Sequence, residues 1–335
     1  MPGTLVRIPR LRQSTDQATL LEAQDNELLR LGLQLKAGGY RFVTVTPETH
    51  RRINRRPENS LARSIEGVLG WSRWFRPQDG FEAVAARLHA AGCLEVRDDL
   101  ARSRVRFSTL DHLIFLHSAF PTANADAVFF GPDSYRFLRA IRALLSAHPL
   151  NPGATVLDVG AGSGCGGLYA AAFMKGLPLR LLLTDINPLA LRYCGVNARL
   201  NDLFDLECRQ SDVLASVSGP ADLILSNPPY LQDFDRRAYR HGGDNLGIDL
   251  SLRILKEALP KLAPNGRLLL YTGVPIVNGI DLFWRAAGPL VAEPRFRVAY
   301  EEIDPDVFGE ELETTVYSQC DRIAVVQLTV HRAVD

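Results

Sequence analysis

The 335-residue sequence has few cysteines and no excess of either charge. Its five cysteines are scattered and form no C-x-x-C pair, which argues against a zinc site and against a disulfide framework. We therefore expect no metal and a reducing, cytoplasmic location. Lysine plus arginine and aspartate plus glutamate both number 38, so no overall field directs the protein to nucleic acid or to a membrane.

Long apolar stretches are also missing from the chain. No run is long enough to span a bilayer, and residues 1–10 lack the apolar core of a signal peptide. We therefore expect no membrane partner. Hydrophobic residues make up 46% of the sequence, which is ordinary for a globular protein, and the length suits two domains.

A burst of glycines in residues 155–169 (TVLDVGAGSGCGGLY) is the most informative feature. An apolar run, the glycines and an alanine-rich stretch predict strand, tight turn and helix in that order. Backbone N–H groups at the start of such a helix can bind polar ligand groups. Gly160, Gly162 and Gly164 fit the G-x-G-x-G pattern of enzymes that use S-adenosylmethionine (SAM). Gly162, Gly164 and Gly167 also fit the G-x-G-x-x-G dinucleotide pattern, so the glycines alone leave the ligand open.

Apolar strand-like runs alternate with helical segments after the glycines, which predicts a parallel α/β sheet covered on both faces. We predict an α/β fold with a seven-stranded, doubly wound, Rossmann-like sheet. The strand-like runs after the first are residues 179–183, 207–211, 221–225, 267–271, 296–302 and 322–331.

The amino-terminal part has a different pattern, which predicts a smaller α+β unit resembling a winged helix. Because residues 119–133 are small and turn-rich, we place a domain boundary there. We assign residues 1–125 to substrate recognition and residues 126–335 to the catalytic domain. The predicted elements of the first domain are helices at residues 14–37 and 81–91, a strand at 40–46, and one hairpin formed by 94–96 and 105–107.

Residues 41–76 form the most basic segment, with eight arginines against three acids, and Trp71, Trp74 and Phe75 lie near its end. Arginine interleaved with aromatic residues can bind phosphate and stack on bases. The interpretation that we favour is plainer, because a run of charge is usually a solvated face. In it the aromatic residues are core and the arginines are surface.

Three acids close three successive strand-like runs, and the carboxyl ends of such strands share one crevice in an open α/β sheet. We predict that Asp158 attracts an ammonium group, that Asp185 accepts hydrogen bonds from two ribose hydroxyls and that Asp212 accepts one from an adenine amino group. Ile186 and Val213 would pack on the adenine faces. This set of groups favours SAM as the ligand.

The sequence Asn227-Pro228-Pro229-Tyr230 directly follows a strand-like run. Two prolines cannot continue a sheet ladder, so they predict a rigid loop beside the cofactor, with Asn227 contacting it. The Asn227 side-chain oxygen and the Pro228 carbonyl can each accept a hydrogen bond, and together they match an NH2 group. Tyr230 offers an aromatic face for a planar group. We predict that Asn227, Pro228 and Tyr230 are the catalytic residues.

From about residue 128 onward the chain resembles the class I SAM-dependent methyltransferases that carry an Asn-Pro-Pro-Tyr motif. Within that group it is similar to the release factor glutamine methyltransferases and to the small-domain methyltransferases of ribosomal and transfer RNA. The resemblance implies SAM as cofactor and N-methylation of a planar amide or amino nitrogen. The segments that carry the resemblance are LDVGAGSG (157–164), TDIN (184–187), SNPPY (226–230) and GGDNLGIDLSLRIL (242–255).

Three hypotheses about the function follow. The favoured acceptor is a glutamine-type side chain of a protein or peptide, and the alternative is an exocyclic amine of an RNA base. An NAD-binding oxidoreductase is the third, but it leaves residues 227–230 unexplained. Three regions depart from the glutamine methyltransferases. Residues 129–134 replace a proline–arginine–glutamate–threonine-like segment, and the amino-terminal region is longer and more basic than their small helical domain. Residues 301–319 add a loop with seven acids, which we expect to be solvated.

Overall fold

A computed structural model describes residues 11–122, 124–234, 237 and 239–334. Residues 1–10, on which the signal-peptide expectation rests, lie outside this part of the chain. Within the described ranges, no helix combines the length and the apolar character needed to cross a membrane.

Helices and short hairpins make up the amino-terminal part, which confirms the prediction of a smaller α+β unit. Its likeness to a winged helix and the domain boundary at residues 125 and 126 stay predictions. The elements are α1 (Leu11–Ala37), α2 (Pro47–Asn54), α3 (Ile65–Leu69), α4 (Glu82–Ala90), β1 (Leu94–Arg97), β2 (Leu100–Ser103), β3 (Val105–Leu110) and β4 (Leu113–Ser118).

The predicted hairpin between residues 94–96 and 105–107 is wrong, because β1 pairs with β2 and β3 pairs with β4. Each hairpin turns through two residues that begin with an aspartate. Asp98 and Asp111 have φ angles of 55° and 53°, in the left-handed region that aspartate tolerates. Two tight turns therefore replace the single wide turn that the hydrophobic pattern predicted.

The predicted strand at residues 40–46 is an irregular segment that does not pair as a regular strand. It is held to β3 by the backbone N–H of Thr109, which donates to the carbonyl of Phe42 at 2.8 Å. The Phe42 N–H donates a hydrogen bond to the Thr109 hydroxyl at 3.1 Å. In a regular strand pair, this N–H would donate to a backbone carbonyl instead. This side-chain bond takes the place of regular strand pairing.

Two aromatic residues of the basic segment, Trp71 and Phe75, belong to the core, whereas Trp74 is half-buried beneath the Arg102 guanidinium. Phe75 is fully buried, and Trp71 packs edge-on against Phe42. Arg76 forms an ion pair with Asp99 at 2.8 Å, whereas several other arginines of the segment are exposed. These contacts agree with the interpretation of an aromatic core and an arginine surface.

The carboxyl-terminal part contains the large sheet. Its elements are α5 (Pro132–Ala147), β5 (Thr155–Val159), α6 (Cys165–Phe173), β6 (Arg180–Asp185), α7 (Pro188–Leu200), β7 (Leu206–Gln210), β8 (Ala221–Ser226), α8 (Asp249–Ala258), β9 (Leu262–Val277), β10 (Ile280–Asp281), α9 (Leu282–Ala287), β11 (Phe296–Asp304) and β12 (Arg322–Arg332).

The strands of this sheet follow the order β11-β12-β9-β8-β5-β6-β7, and the short β10 pairs with β9. The pairs of β5 with β6 and β8, β6 with β7, and β8 with β9 are parallel, whereas β12 is antiparallel to β9 and to β11. The predicted doubly wound fold is thus confirmed. Strands β6 and β7 lie on one side of β5, and the next strand in the chain, β8, lies on its other side. The strand order therefore reverses between β5 and β8. Ligands bind at the carboxyl edge of such a reversal.

One element near the end of the sheet differs from the prediction. The sheet has eight strands where seven were predicted, because the short β10 precedes α9 and pairs with β9. The Asp281 carboxylate then accepts a hydrogen bond from the Trp284 N–H at 2.8 Å and caps α9.

Helix α7 joins the two parts of the chain. Asn197, on α7, is fully buried. Its amide nitrogen donates to the carbonyl of Leu116 in β4 at 2.9 Å and to that of Ser163 in the glycine turn at 2.8 Å. Its oxygen accepts from the Leu116 N–H at 2.6 Å. The amino-terminal hairpin is thus fixed against the turn at the end of β5.

Candidate active site

A cavity of about 630 Å³ opens at the carboxyl edge of the sheet, beside the strand-order reversal. This volume lies within the usual range for small-molecule sites. Its walls include residues 160–163 of the glycine turn and residues 227–231 after β8. Residues 46–48 of the amino-terminal part and residues 306–308 between β11 and β12 also line it.

Ten of the eleven predicted site residues line this cavity, and Gly164 does not. A Cβ at Gly164 would lie 3.1 Å from the sulfur of Cys194, so this glycine, with φ 75°, packs against α7 at the start of α6. Its predicted contact with the cofactor has no support in the cavity lining. The predicted residues that do line the cavity are Asp158, Gly160, Gly162, Asp185, Ile186, Asp212, Val213, Asn227, Pro228 and Tyr230.

Gly160 and Gly162 leave open space for a ligand. Their φ angles of 67° and 56° lie in the left-handed region, where other residues are strained. No neighbouring atom lies within 4 Å of a Cβ built on either residue. The backbone at this turn is therefore accessible, and it fits the close approach of a nucleoside-type cofactor such as SAM.

Asp158 lies within β5 and is 2% exposed, rather than following the strand as predicted. Its Oδ2 atom accepts a hydrogen bond from the Gly167 N–H at 2.7 Å. A Cβ on Gly166 would lie 2.9 Å from that oxygen, so α6 can approach the carboxylate only because the residue is glycine. Burial raises the pKa of Asp158 to about 7; the bond from Gly167 opposes this, and the charge of Asp185 adds to it.

The raised pKa of Asp158 predicts that SAM affinity increases about fivefold from pH 6 to pH 7. The buried carboxyl is mostly protonated at pH 6, and an ammonium group beside it favours the charged form, so binding releases a proton. The folding stability of the free protein depends on pH in the opposite direction. The protonated carboxyl adds stability at low pH, and that stability is lost as the pH rises through 7. Calorimetric titration with SAM in two buffers of different ionisation enthalpy measures both the affinity and the proton release.

The Asp158→Asn variant should bind SAM with an affinity that does not change over this range. Asp202→Asn is the matched control, since Asp202 is exposed and lies outside the cavity lining. A pH-independent affinity of the unmodified protein would contradict the assignment of an ammonium group to Asp158.

Asp185 and Asp212 already bind neighbouring groups. Asp185 accepts hydrogen bonds from the backbone N–H groups of Gly162 at 2.8 Å and Asn187 at 2.9 Å, and burial raises its pKa. Asp212 is exposed and forms a two-pronged ion pair with Arg253 at 2.8 and 3.0 Å. Each carboxylate oxygen can accept more than one hydrogen bond, so both acids keep acceptor capacity for a ligand. Their roles with ribose and adenine stay predictions.

Tyr230 is held by a buried carboxylate. Its hydroxyl donates to Asp133 Oδ2 at 2.5 Å, and the Tyr271 hydroxyl donates to Asp133 Oδ1 at 3.1 Å. Burial raises the pKa of Tyr230 well above its usual value, and the charge of Asp133 raises it further, so the hydroxyl stays a donor. The orientation of the Tyr230 ring is thereby fixed.

Sequence reasoning missed Asp133 as a functional residue. The signal was present, because an acid after a proline is typical of the first turn of a helix, here α5. Its partners Tyr230 and Tyr271 are 97 and 138 residues away in the chain, so nothing local indicated them.

Glycines also support Tyr230. A Cβ on Gly273 would lie 2.1 Å from the Tyr230 ring. One on Gly242 would lie 2.7 Å from the Tyr230 Cα atom, and one on Gly247 would lie 2.3 Å from the Tyr230 carbonyl oxygen. Gly242 and Gly247, in the segment 242–255 that resembles the glutamine methyltransferases, thus pack directly on the backbone of the Asn-Pro-Pro-Tyr loop. A glycine inside a strand is a usual sign of such close approach.

Comparison with known proteins gives the same picture. Residues 136–274 match the family model of the methyltransferase small domain. A release factor glutamine methyltransferase of Rhodospirillum rubrum is 32% identical over 276 residues, which cover 75% of this chain and 76% of that protein. A release factor glutamine methyltransferase of Deinococcus radiodurans is 35% identical over 167 residues, which cover 47% of this chain and 55% of that protein.

More distant relatives carry other names. The ribosomal RNA small subunit methyltransferase C of Erwinia tasmaniensis is 28% identical over 145 residues, which cover 43% of this chain and 39% of that protein. The chain spans about half the length of several curated relatives that it matches, such as the Deinococcus protein.

The fold and the cavity define a class I SAM-dependent methyltransferase. The long match with the Rhodospirillum protein is specific enough to place the chain within that class. The protein belongs to the family of methyltransferases that includes these release factor glutamine methyltransferases. Family membership argues against the NAD-binding oxidoreductase considered from the glycine pattern.

Proposed function

We propose that this protein methylates a planar side-chain amide nitrogen, of the glutamine type, on a protein or peptide. The observation that carries the proposal is one cavity lined both by the open glycine turn and by residues 227–230. The two glutamine methyltransferases described above support the same acceptor class.

In this mechanism the loop after β8 holds and orients the acceptor nitrogen. When bound, SAM supplies a methyl group that a nitrogen lone pair can take. The Asn227 side-chain oxygen and the Pro228 carbonyl accept the two amide hydrogens of the acceptor, which draws the lone pair out of conjugation. Tyr230 holds the amide plane, and its own hydroxyl is held by Asp133. Orientation therefore supplies most of the effect, and the nitrogen loses its extra proton after transfer.

The charge on one wall of the cavity favours a protein over RNA. Asp306 and Glu310 line the cavity and are exposed, and neither forms an ion pair with another described residue. The cations in the same lining, Arg136, Arg237 and Arg240, are paired with carboxylates. A polyanionic RNA backbone is repelled by carboxylates on this wall that have no cationic partner among the described residues.

An RNA base is the second candidate acceptor. Pro47, in the first turn of α2, lines the cavity, and the next turn carries the exposed residues Arg51 and Arg52. These arginines could contact phosphates near the entrance, although both form ion pairs with Glu48. RNA binding that weakens steeply with salt would support this candidate.

A methyl-transfer assay tests the acceptor class. Labelled SAM is supplied to a fractionated lysate with the protein, before and after RNase treatment. We expect label that survives RNase and is removed by protease, because the acceptor is a side-chain amide. Label that RNase removes would overturn the amide acceptor and establish the RNA candidate. The Asn227→Ala variant, run in parallel, shows which label depends on the proposed site.

A further inference from the structure

The segment between β11 and β12, residues 305–321, forms one wall of the acceptor half of the cavity. Its residues Asp306, Val307, Phe308 and Glu310 line the same cavity as the Asn-Pro-Pro-Tyr loop. The acids are exposed, as expected for a solvated loop, but Phe308 is partly buried. The expectation of a solvated loop is therefore wrong for Val307, Phe308 and Tyr317, which are partly or fully buried. We call this segment the β11–β12 connection.

Phe308 packs against the catalytic loop. Its ring lies edge-on to Tyr230, with 5.8 Å between the ring centroids and 67° between the planes. The guanidinium of Arg240 lies 5.8 Å from the centroid of the Phe308 ring. Phe308 thus lies between Tyr230 and a cation that follows the loop in sequence.

The backbone of Phe308 is held in an unfavourable conformation. Its φ of 55° and ψ of 41° lie in the left-handed region, which is rare for a bulky residue and costs free energy. Hydrogen bonds on both sides maintain it: the Val307 N–H donates to the Ile323 carbonyl at 2.9 Å, and the Glu311 N–H donates to the Phe308 carbonyl at 2.8 Å. Strain that neighbouring contacts maintain is typical of functional positions.

The connection is also anchored on both sides of the cavity. Asp304, just before it, pairs with Arg136 of α5 at 2.7 Å, and Glu311 pairs with Arg240. Tyr317, which is 1% exposed, accepts a hydrogen bond from the Gln232 N–H at 2.8 Å and donates one to the Leu246 carbonyl at 3.1 Å. The connection is therefore built into the site next to the catalytic loop.

We propose that Phe308 determines acceptor specificity by closing the cavity at the edge of Tyr230. Its ring limits the space beside Tyr230 and contacts the flat acceptor group, so that an amide is accommodated better than a two-ring base. The inference rests on the proposed function, because it assigns a specificity to the same acceptor site. An apolar wall discriminates by size, and its removal reduces that discrimination.

Two small compounds test this role: N-acetylglutamine methylamide as the amide probe and adenosine as the two-ring amine probe. We expect the Phe308→Ala variant to show a KM for the amide probe that is about tenfold higher, with kcat and SAM affinity nearly unchanged. The ratio of kcat/KM for the amide probe to that for adenosine should fall at least about tenfold. Phe308→Tyr, which keeps the ring, should restore both values.

Val316→Ala is the matched control, because Val316 lies in the same connection but does not line the cavity. Phe308→Leu removes the ring and part of the apolar volume, and it replaces the alanine variant if that variant does not fold, as a thermal melt shows. An unchanged KM and an unchanged ratio in Phe308→Ala, or in Phe308→Leu where it takes its place, would overturn the role of Phe308 and leave the proposed function intact, provided that the parent protein is active.

A binding measurement separates the remaining outcomes. NMR titration of each probe into the complex with S-adenosylhomocysteine reports acceptor binding without turnover. If the amide probe binds about tenfold more weakly to Phe308→Ala, the result supports the role of Phe308 as a wall of the acceptor site, even where turnover is slow. If the parent protein methylates adenosine when SAM is supplied, and its complex with S-adenosylhomocysteine binds adenosine but not the amide, the proposed function and this size preference are both wrong. If the S-adenosylhomocysteine complex of the parent protein binds neither probe, the cavity does not bind an amide or an amine acceptor. Both proposals are then wrong.

Discussion

Replacement of Asn227 with alanine is expected to lower kcat at least about 10²-fold, while the Kd for SAM changes less than about threefold. The Asn227 side chain is half-buried in the cavity and has no hydrogen bond to another described residue, so its oxygen is available to an acceptor. Its bond to the acceptor strengthens as the nitrogen gains positive charge, so its loss affects mainly the transition state. Steady-state kinetics and calorimetry measure the two quantities separately.

Asn151→Ala is the matched control for this experiment. Asn151 is exposed in the turn before β5, at the opposite edge of the sheet, so the same truncation there should leave kcat and SAM affinity unchanged. Turnover by Asn227→Ala that equals the turnover of the control would rule out the proposed mechanism. A large loss of SAM affinity would instead place Asn227 with the cofactor.

The Gly273→Ala variant should be the second large effect, with kcat lowered about 10²-fold and stability reduced by about 1–3 kcal/mol. A Cβ at this position would lie 2.1 and 2.3 Å from two carbon atoms of the Tyr230 ring. The ring cannot rotate away without breaking the bond from its hydroxyl to Asp133. Either Tyr230 or β9 must therefore move, and the acceptor surface moves with it.

Two further variants make the test specific. Gly288→Ala is the control, because the nearest neighbour of a Cβ at Gly288 is 3.6 Å away, an ordinary contact. Tyr230→Ala should cost less stability in the Gly273→Ala background than in the parent protein, since there it also removes the overlapping ring. Chemical denaturation measures the stabilities, and SAM binding shows that the cofactor half of the cavity is intact. A Gly273→Ala variant with normal turnover would show that the Tyr230 ring is free to shift.

Local patterns in the sequence predicted the sheet and the loops at its carboxyl edge. Parallel buried strands have continuous apolar runs, and the glycine burst and the double proline mark turns that cannot belong to a strand. For these reasons Gly160 and Asn227 were placed at the same edge from sequence alone. The observed strand boundaries differ from the predicted ones by a few residues. Strand β9, for example, continues beyond its parallel pairing with β8, and its final residues are still largely apolar.

Contacts between distant residues could not be predicted in this way. Asp133 and Phe308 reach Tyr230 only after the sheet has formed, and neither carries a local pattern that names its partner. Gly164 shows that a local pattern can also indicate a contact for which the cavity lining gives no support. It fits a ligand-binding pattern but packs against Cys194. The hairpin prediction was wrong for a related reason. The aspartates at the two turns adopt positive φ angles, and hydrophobic periodicity does not reveal where such turns occur.

The carboxylate of Asp133 has a consequence for the order in which the protein becomes competent during synthesis. The glycine turn and the acids that line the cofactor half lie between residues 158 and 213, so they are complete early in translation. Tyr230 follows β8, Tyr271 lies in β9, and Asp304, which reaches Asp133 through Arg136, ends β11, so the contacts around Asp133 are complete only when β11 has been made. A nascent chain that stops after β8 has the cofactor half but not the acceptor half, so methyl transfer requires a complete sheet.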